Sequence, residues 1–174
     1  MTALARLLRD RRAAAAAEMA LVVPPLVVIG FGAVEAGNYF LDEHRLVKAV
    51  RDGARYASRQ NFANYSGCTG SPTDVSTTLR DGVKTVVRTG QVSGGTYQLS
   101  NWTDSRAVFT VKMFCVATAG GQDMRNGVYK GMTGAPVVIV RASLPYVPIL
   151  GSRVGFYGRA LTLYSSEQAA VVGV

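Results

Sequence analysis

The sequence is poor in the residues that carry catalysis. It has one histidine, His44, two cysteines, Cys68 and Cys115, and one tryptophan in 174 residues. A lone histidine offers no partner for a metal-ligand pair, and no Ser-His-Asp set assembles around it. The cysteines form no C-x-x-C pair, which argues against zinc and thioredoxin chemistry. The glycines at 120 and 121 lack the lysine of a phosphate-binding loop. Asp42 and Glu43 are adjacent, so on a helix they point in different directions and do not act as a pair. Nothing here nominates an active site, a cofactor or a metal, and an enzyme is the least supported of the readings. Asn64-Tyr65-Ser66 and Asn101-Trp102-Thr103 match the N-glycosylation pattern, which matters only in a eukaryotic secretory pathway.

Acidic residues are also scarce: 11 Asp and Glu stand against 19 Lys and Arg, for a net charge of +8. Such a balance is compatible with nucleic acid or anionic lipid. The simpler reading is solubility plus a topology signal, and no nucleic-acid partner is expected. Arg6, Arg9, Arg11 and Arg12 cluster before a hydrophobic run, with Asp10 alone against them.

That run is where the sequence is rich. Met19 to Val34 reads MALVVPPLVVIGFGAV without a charge, and apolar character resumes after Glu35 through Tyr39, Phe40 and Leu41. A spanning helix needs about 20 residues, and Met19 to Leu41 supplies them. Glu18 and Glu35 then lie ~25 Å apart along the helix, each near an interface, and Tyr39 suits an interfacial aromatic. Pro24 and Pro25 lack backbone donors, so a kink is expected there. The arginines before the run favour a cytoplasmic N-terminus. Arg45, Lys48 and Arg51 beyond it weaken the asymmetry, but long domains cross largely regardless of charge. The segment has three candidate fates: a secretory signal cut after Ala36, an uncut anchor, or a leader cut before the hydrophobic run. Two lone cysteines behind an anchor suggest one Cys68–Cys115 disulfide in an oxidising compartment, with two buried thiols as the alternative.

The third fate coincides with a resemblance. The stretch Arg11-Arg12-Ala13-Ala14-Ala15-Ala16-Ala17-Glu18-Met19-Ala20-Leu21-Val22 resembles the start of TadE-like pilus proteins, the minor pilins or pseudopilins of the tight-adherence (Tad/Flp) branch of type IV pili. The similarity continues through Val34-Glu35-Ala36-Gly37-Asn38-Tyr39-Phe40 and Ala49-Val50-Arg51-Asp52-Gly53-Ala54-Arg55-Tyr56-Ala57. It covers about the first third of the chain. In pilins the key glutamate lies five residues after the cut, so the resemblance implies cleavage between Ala13 and Ala14 with Glu18 as that glutamate. Ala13 stands where the family usually has glycine. A carboxylate at the edge of an apolar run is costly unless paired. The new amine on Ala14 would neutralise Glu18 on its own or a neighbouring subunit; the alternative places Glu18 among lipid headgroups.

The resemblance implies three parts: a basic cytoplasmic leader at 1–13, a transmembrane helix at 14–41 and a periplasmic or extracellular TadE-like domain at 42–174. It also implies a bacterial inner-membrane location. The implied partners are a prepilin peptidase, other pilin and pseudopilin subunits, the assembly platform in the inner membrane and the lipid bilayer. The reading from a different class is a membrane-anchored binding module that never enters a filament.

Past the run, Val47, Val50, Ala54 and Ala57 share a helical face through Arg59, while Arg45, Lys48, Arg51, Arg55 and Arg59 form a basic stripe, most simply a solvated one. A loop from Asn61 to Pro72 holds Cys68. Caps at Ser71 to Asp74 open a second helix with Val75, Leu79, Val83 and Val86 on one face, ended by Gly90. Strands are expected at Thr96–Trp102 and Ala107–Ala117, joined by a turn at Asp104-Ser105. A glycine-rich loop follows from Ala119 to Gly134. Pro136–Leu144 is apolar enough for a central strand, Pro145 to Pro148 turns the chain, and a last strand lies within Arg159–Val172. The sum is an α+β fold, pilin-like: a long N-terminal transmembrane helix continuing into a small domain with an antiparallel β-sheet.

Overall fold

The computed structural model describes residues 11–117, 127–132, 134–149 and 161–173. They fall into two units: the N-terminal part of the long helix with Pro148 and Ile149, and the domain from Leu41 onward.

In the first unit, helix α1 (Arg11–Ser58) begins as an alanine-rich stretch and continues through Pro24 and Pro25. Alanine has the best helix propensity, and the aliphatic run that follows has no polar side chain competing for the backbone. Leu21, Val28, Ile29 and Phe31 are all exposed on it. By length and composition α1 is able to cross a membrane.

In the second unit the same helix carries a buried face. Leu46, Ala49, Val50, Ala54 and Ala57 are in the core. Helix α2 (Thr77–Thr89) buries Leu79, Val83, Val86 and Val87. Its ends follow capping chemistry: Ser76 Oγ accepts from the N–H of Leu79 at 3.3 Å, and Gly90 closes the helix at φ 74°. That left-handed conformation is open to glycine without a Cβ penalty.

Four strands form one antiparallel sheet in sequence order: β1 (Thr73–Asp74), β2 (Val108–Ala117), β3 (Gly134–Pro145) and β4 (Thr162–Ala170). β3 lies between β2 and β4 and is buried along most of its length, as its apolar sequence requires. Val111, Val140 and Glu167 stand side by side across the three strands. Arg51 of α1 pairs with Glu167 at 3.1 Å, so α1 covers that face. The opposite face exposes Val108, Val116, Arg141, Tyr164 and Gln168. A long helix followed by a small antiparallel sheet is the α+β architecture expected.

Three expectations need correction. The segment Thr96–Trp102 is not a strand: it ends in a 3-10 turn, Ser100–Thr103. Gly94 and Gly95 take φ of 66° and 90°, and Gln98 N–H returns to the carbonyl of Arg88, which reverses the chain before a strand can extend. Leu99 and Trp102 are both buried at a spacing of three, the period of a turn rather than of a strand. Second, the cap of α2 is Ser76, because Thr73 and Asp74 are held extended against Met113 and Lys112. Third, Gly134 belongs to β3; most of the glycine-rich loop before it lies outside the described residues.

Candidate functional site: the apolar helix and its carboxylate

Glu18 lies in α1 directly before the uncharged run and is exposed, as is Ala14 one turn earlier. The side chain of Ala13 is outside the described residues. An α-helix rises 1.5 Å per residue, so the backbone of Ala14 and the carbon bearing the Glu18 side chain are ~6 Å apart along the axis. A glutamate side chain covers that distance. The apolar surface beyond Glu18 has no cover of its own: Leu21 is 79% exposed and Ile29 67% exposed. Water does not tolerate a face of that extent; lipid, or the same face of neighbouring helices, does. Gly30, Gly32 and Gly37 have open space where a Cβ would stand, and small residues permit close helix approach in an apolar medium.

Cys68 and Cys115 are joined as a disulfide, with Cα atoms 5.4 Å apart. The bond ties the segment after α1 to β2. Beside it lies a groove of about 490 Å³ lined by Phe62, Tyr65, Met132 and Pro136 together with the two cysteines. The Tyr65 hydroxyl donates to the carbonyl of Ala57, and burial, with Tyr56 as a smaller contributor, pushes its pKa well above the usual phenol range. A phenol held neutral in this way is a structural donor, fixing the 3-10 turn Phe62–Tyr65 to the end of α1. Among the described residues, no three His, Cys, Asp or Glu side chains gather as a metal site. His44 is exposed.

The basic stripe Arg45, Lys48, Arg51, Arg55 and Arg59 is exposed throughout. Two of its members have partners: Arg45 pairs with Asp42 at 3.1 Å, and Arg51 with Glu167. The second of these joins positions far apart in the chain and left no local signal to read. Arg88 is another such case. Its guanidinium sits 5.3 Å from the centre of the Trp102 ring and 5.7 Å from that of Tyr97. This cation–π stack seats the 97–102 segment on the end of α2.

Residues 13–55 match the family model described as TadE-like protein. That segment is similar to the family; the rest of the chain lies outside the match. The match lies wholly within α1 and holds Ala14, Glu18, the apolar run and the first buried turns of the domain. No curated protein sequence and no solved structure matches the chain.

Proposed function

We propose that the chain is a minor pilin or pseudopilin that takes part in assembling an adhesive Tad/Flp-type type IV pilus, in a structural rather than an enzymatic role. Residues 1–13 are a cytoplasmic leader, residues 14–41 a transmembrane helix, and residues 42–174 a domain on the periplasmic side of a bacterial inner membrane, carried outside the cell in the pilus. A prepilin peptidase cuts between Ala13 and Ala14. The observation that carries this reading is the coincidence of the TadE-like match with a helix long and apolar enough to cross a membrane, with Glu18 at the head of its uncharged run.

The mechanism follows from charge and solvent. In the precursor the apolar surface of α1 rests in lipid. Cleavage leaves a protonated amine on Ala14, one turn from Glu18. A carboxylate entering an apolar assembly is costly alone and tolerable with a cation beside it. Pairing Glu18 with an Ala14 amine, on its own subunit or the next, lets the helices leave the membrane together at the assembly platform and fixes their register. Glu18→Ala removes the carboxylate while leaving the span apolar. Loss of piliation or adhesion, with the protein still present in the membrane, supports the role. Unchanged piliation and adhesion would show a tether for a binding module instead.

A further inference from the structure

The first unit contains a contact that filament assembly does not require. Glu35 closes the uncharged run of α1, and its Oε1 accepts a hydrogen bond from the backbone N–H of Ile149 at 3.2 Å. Ile149 follows Pro148 after β3, far from Glu35 in sequence, and its backbone is seated beside the helix at the level of Glu35. From Met19 to Glu35 the helix rises ~24 Å, most of the way across a hydrocarbon core of about 30 Å. Glu35 therefore marks the outer boundary of that core.

The surroundings have the composition of an interfacial belt. Ile149 is 54% exposed, and Phe40, on the next turn of the helix, is 58% exposed. Tyr39 meets the Phe40 ring edge-on, with centroids 5.8 Å apart. Aromatic residues favour the headgroup level of a bilayer. At the edge of the hydrocarbon region a backbone N–H is costly without a partner. Glu35 accepts one such N–H, which frees the Ile149 side chain to enter lipid, and the bond holds the carboxylate at the boundary.

We propose that the Pro148-Ile149 turn is a second membrane-contacting element, lying in the interface of the domain-side leaflet and tied to the anchor by Glu35. This rests on α1 crossing the membrane, and the test separates the two. Three full-length chains are reconstituted in phosphatidylcholine vesicles with brominated acyl chains: wild type, Phe31→Trp and Ile149→Trp. Wild type, with Trp102 buried in the domain, gives the baseline. Both added tryptophans are expected to lose most of their emission to the brominated lipid. Adding Glu35→Ala to Ile149→Trp is expected to restore much of that emission, while Phe31→Trp stays quenched. Quenching at position 31 with none at 149 overturns the inference and leaves the anchor intact. The same holds if the tryptophan at 149 is quenched by aqueous acrylamide instead, or shielded from both quenchers by protein. Absence of quenching at both positions overturns the membrane reading itself.

Discussion

Gly53 lies in the interior of α1, where glycine costs about 1 kcal/mol relative to alanine. The reason for its presence is the crossing with α2. A Cβ at Gly53 would overlap Cγ2 of Val87 and stand 3.4 Å from Cγ1 of Val83. Both valines are fully buried and stiff about χ1, so they give way poorly. Gly53→Ala is therefore expected to destabilise the domain by ~1–3 kcal/mol despite its better helix propensity, read as a lower urea midpoint. A raised midpoint would mean the helices do not approach this closely. Asp104 makes a second residue-level prediction. Its carboxylate accepts from the Nε and Nη2 of Arg106, and from the Arg106 backbone N–H at 2.8 Å. These bonds, the side-chain ones first, lower its pKa from 3.8 to about 2. The folded state thus favours the ionised form. Any stability this gives is complete above the ordinary carboxylate range and is lost as pH falls through about 2. Because Asp104 lies at the surface in contact with water, the effect is small and screened by salt. Carboxyl-carbon NMR is expected to find its titration midpoint near 2; a midpoint near 3.8 would mean the turn does not hold the carboxylate in solution.

At the scale of elements, what was legible followed local rules. The apolar run, the buried stripe of Val50, Ala54 and Ala57, the Gly90 cap and the continuous apolar strand β3 each announce themselves through period or cap chemistry. The misread segment Thr96–Trp102 has strand-like composition, but its path is set by Arg88, whose ring contacts and backbone carbonyl come from another element. β1 is invisible locally for the same reason: two residues are held extended only because β2 lies beside them. The closing of α1 is another long-range effect. The N–H groups of Val172 and Gly173 both donate to the carbonyl of Ser58, so the residues after β4 satisfy the end of the first helix. Of the site, Glu18 was visible as a carboxylate at an apolar boundary, whereas the Glu35–Ile149 bond was not. The disulfide belongs to this scale as well. It links residues 47 apart, and closing a loop of that length stabilises by ~4 kcal/mol in the chain-entropy model. Replacing Cys68 and Cys115 by serine together is expected to lower the urea midpoint accordingly. Reduction and alkylation of the native protein should add two alkyl groups. Alkylation of acid-quenched protein, returned to neutral pH in denaturant without a reductant, would show that the thiols are free.

For the whole molecule, the division of labour follows the two units. The helix is shaped for an apolar surround, since its large aliphatic side chains have no cover of their own. The domain is shaped for water, with most of its apolar side chains gathered between the two helices and one face of the sheet and the stripe from Arg45 to Arg59 outward. Joining the two through one continuous helix makes any change of environment at the N-terminal half a change in what the domain is attached to. On this account the precursor and the assembled subunit differ by one peptide bond and by what surrounds α1. The central claim is that bond. N-terminal sequencing of the protein isolated from membranes and from sheared pili is expected to begin at Ala14, with Glu18 as the fifth residue. A chain beginning at Met1, or at Gly37 after cleavage beyond the hydrophobic run, would contradict the account.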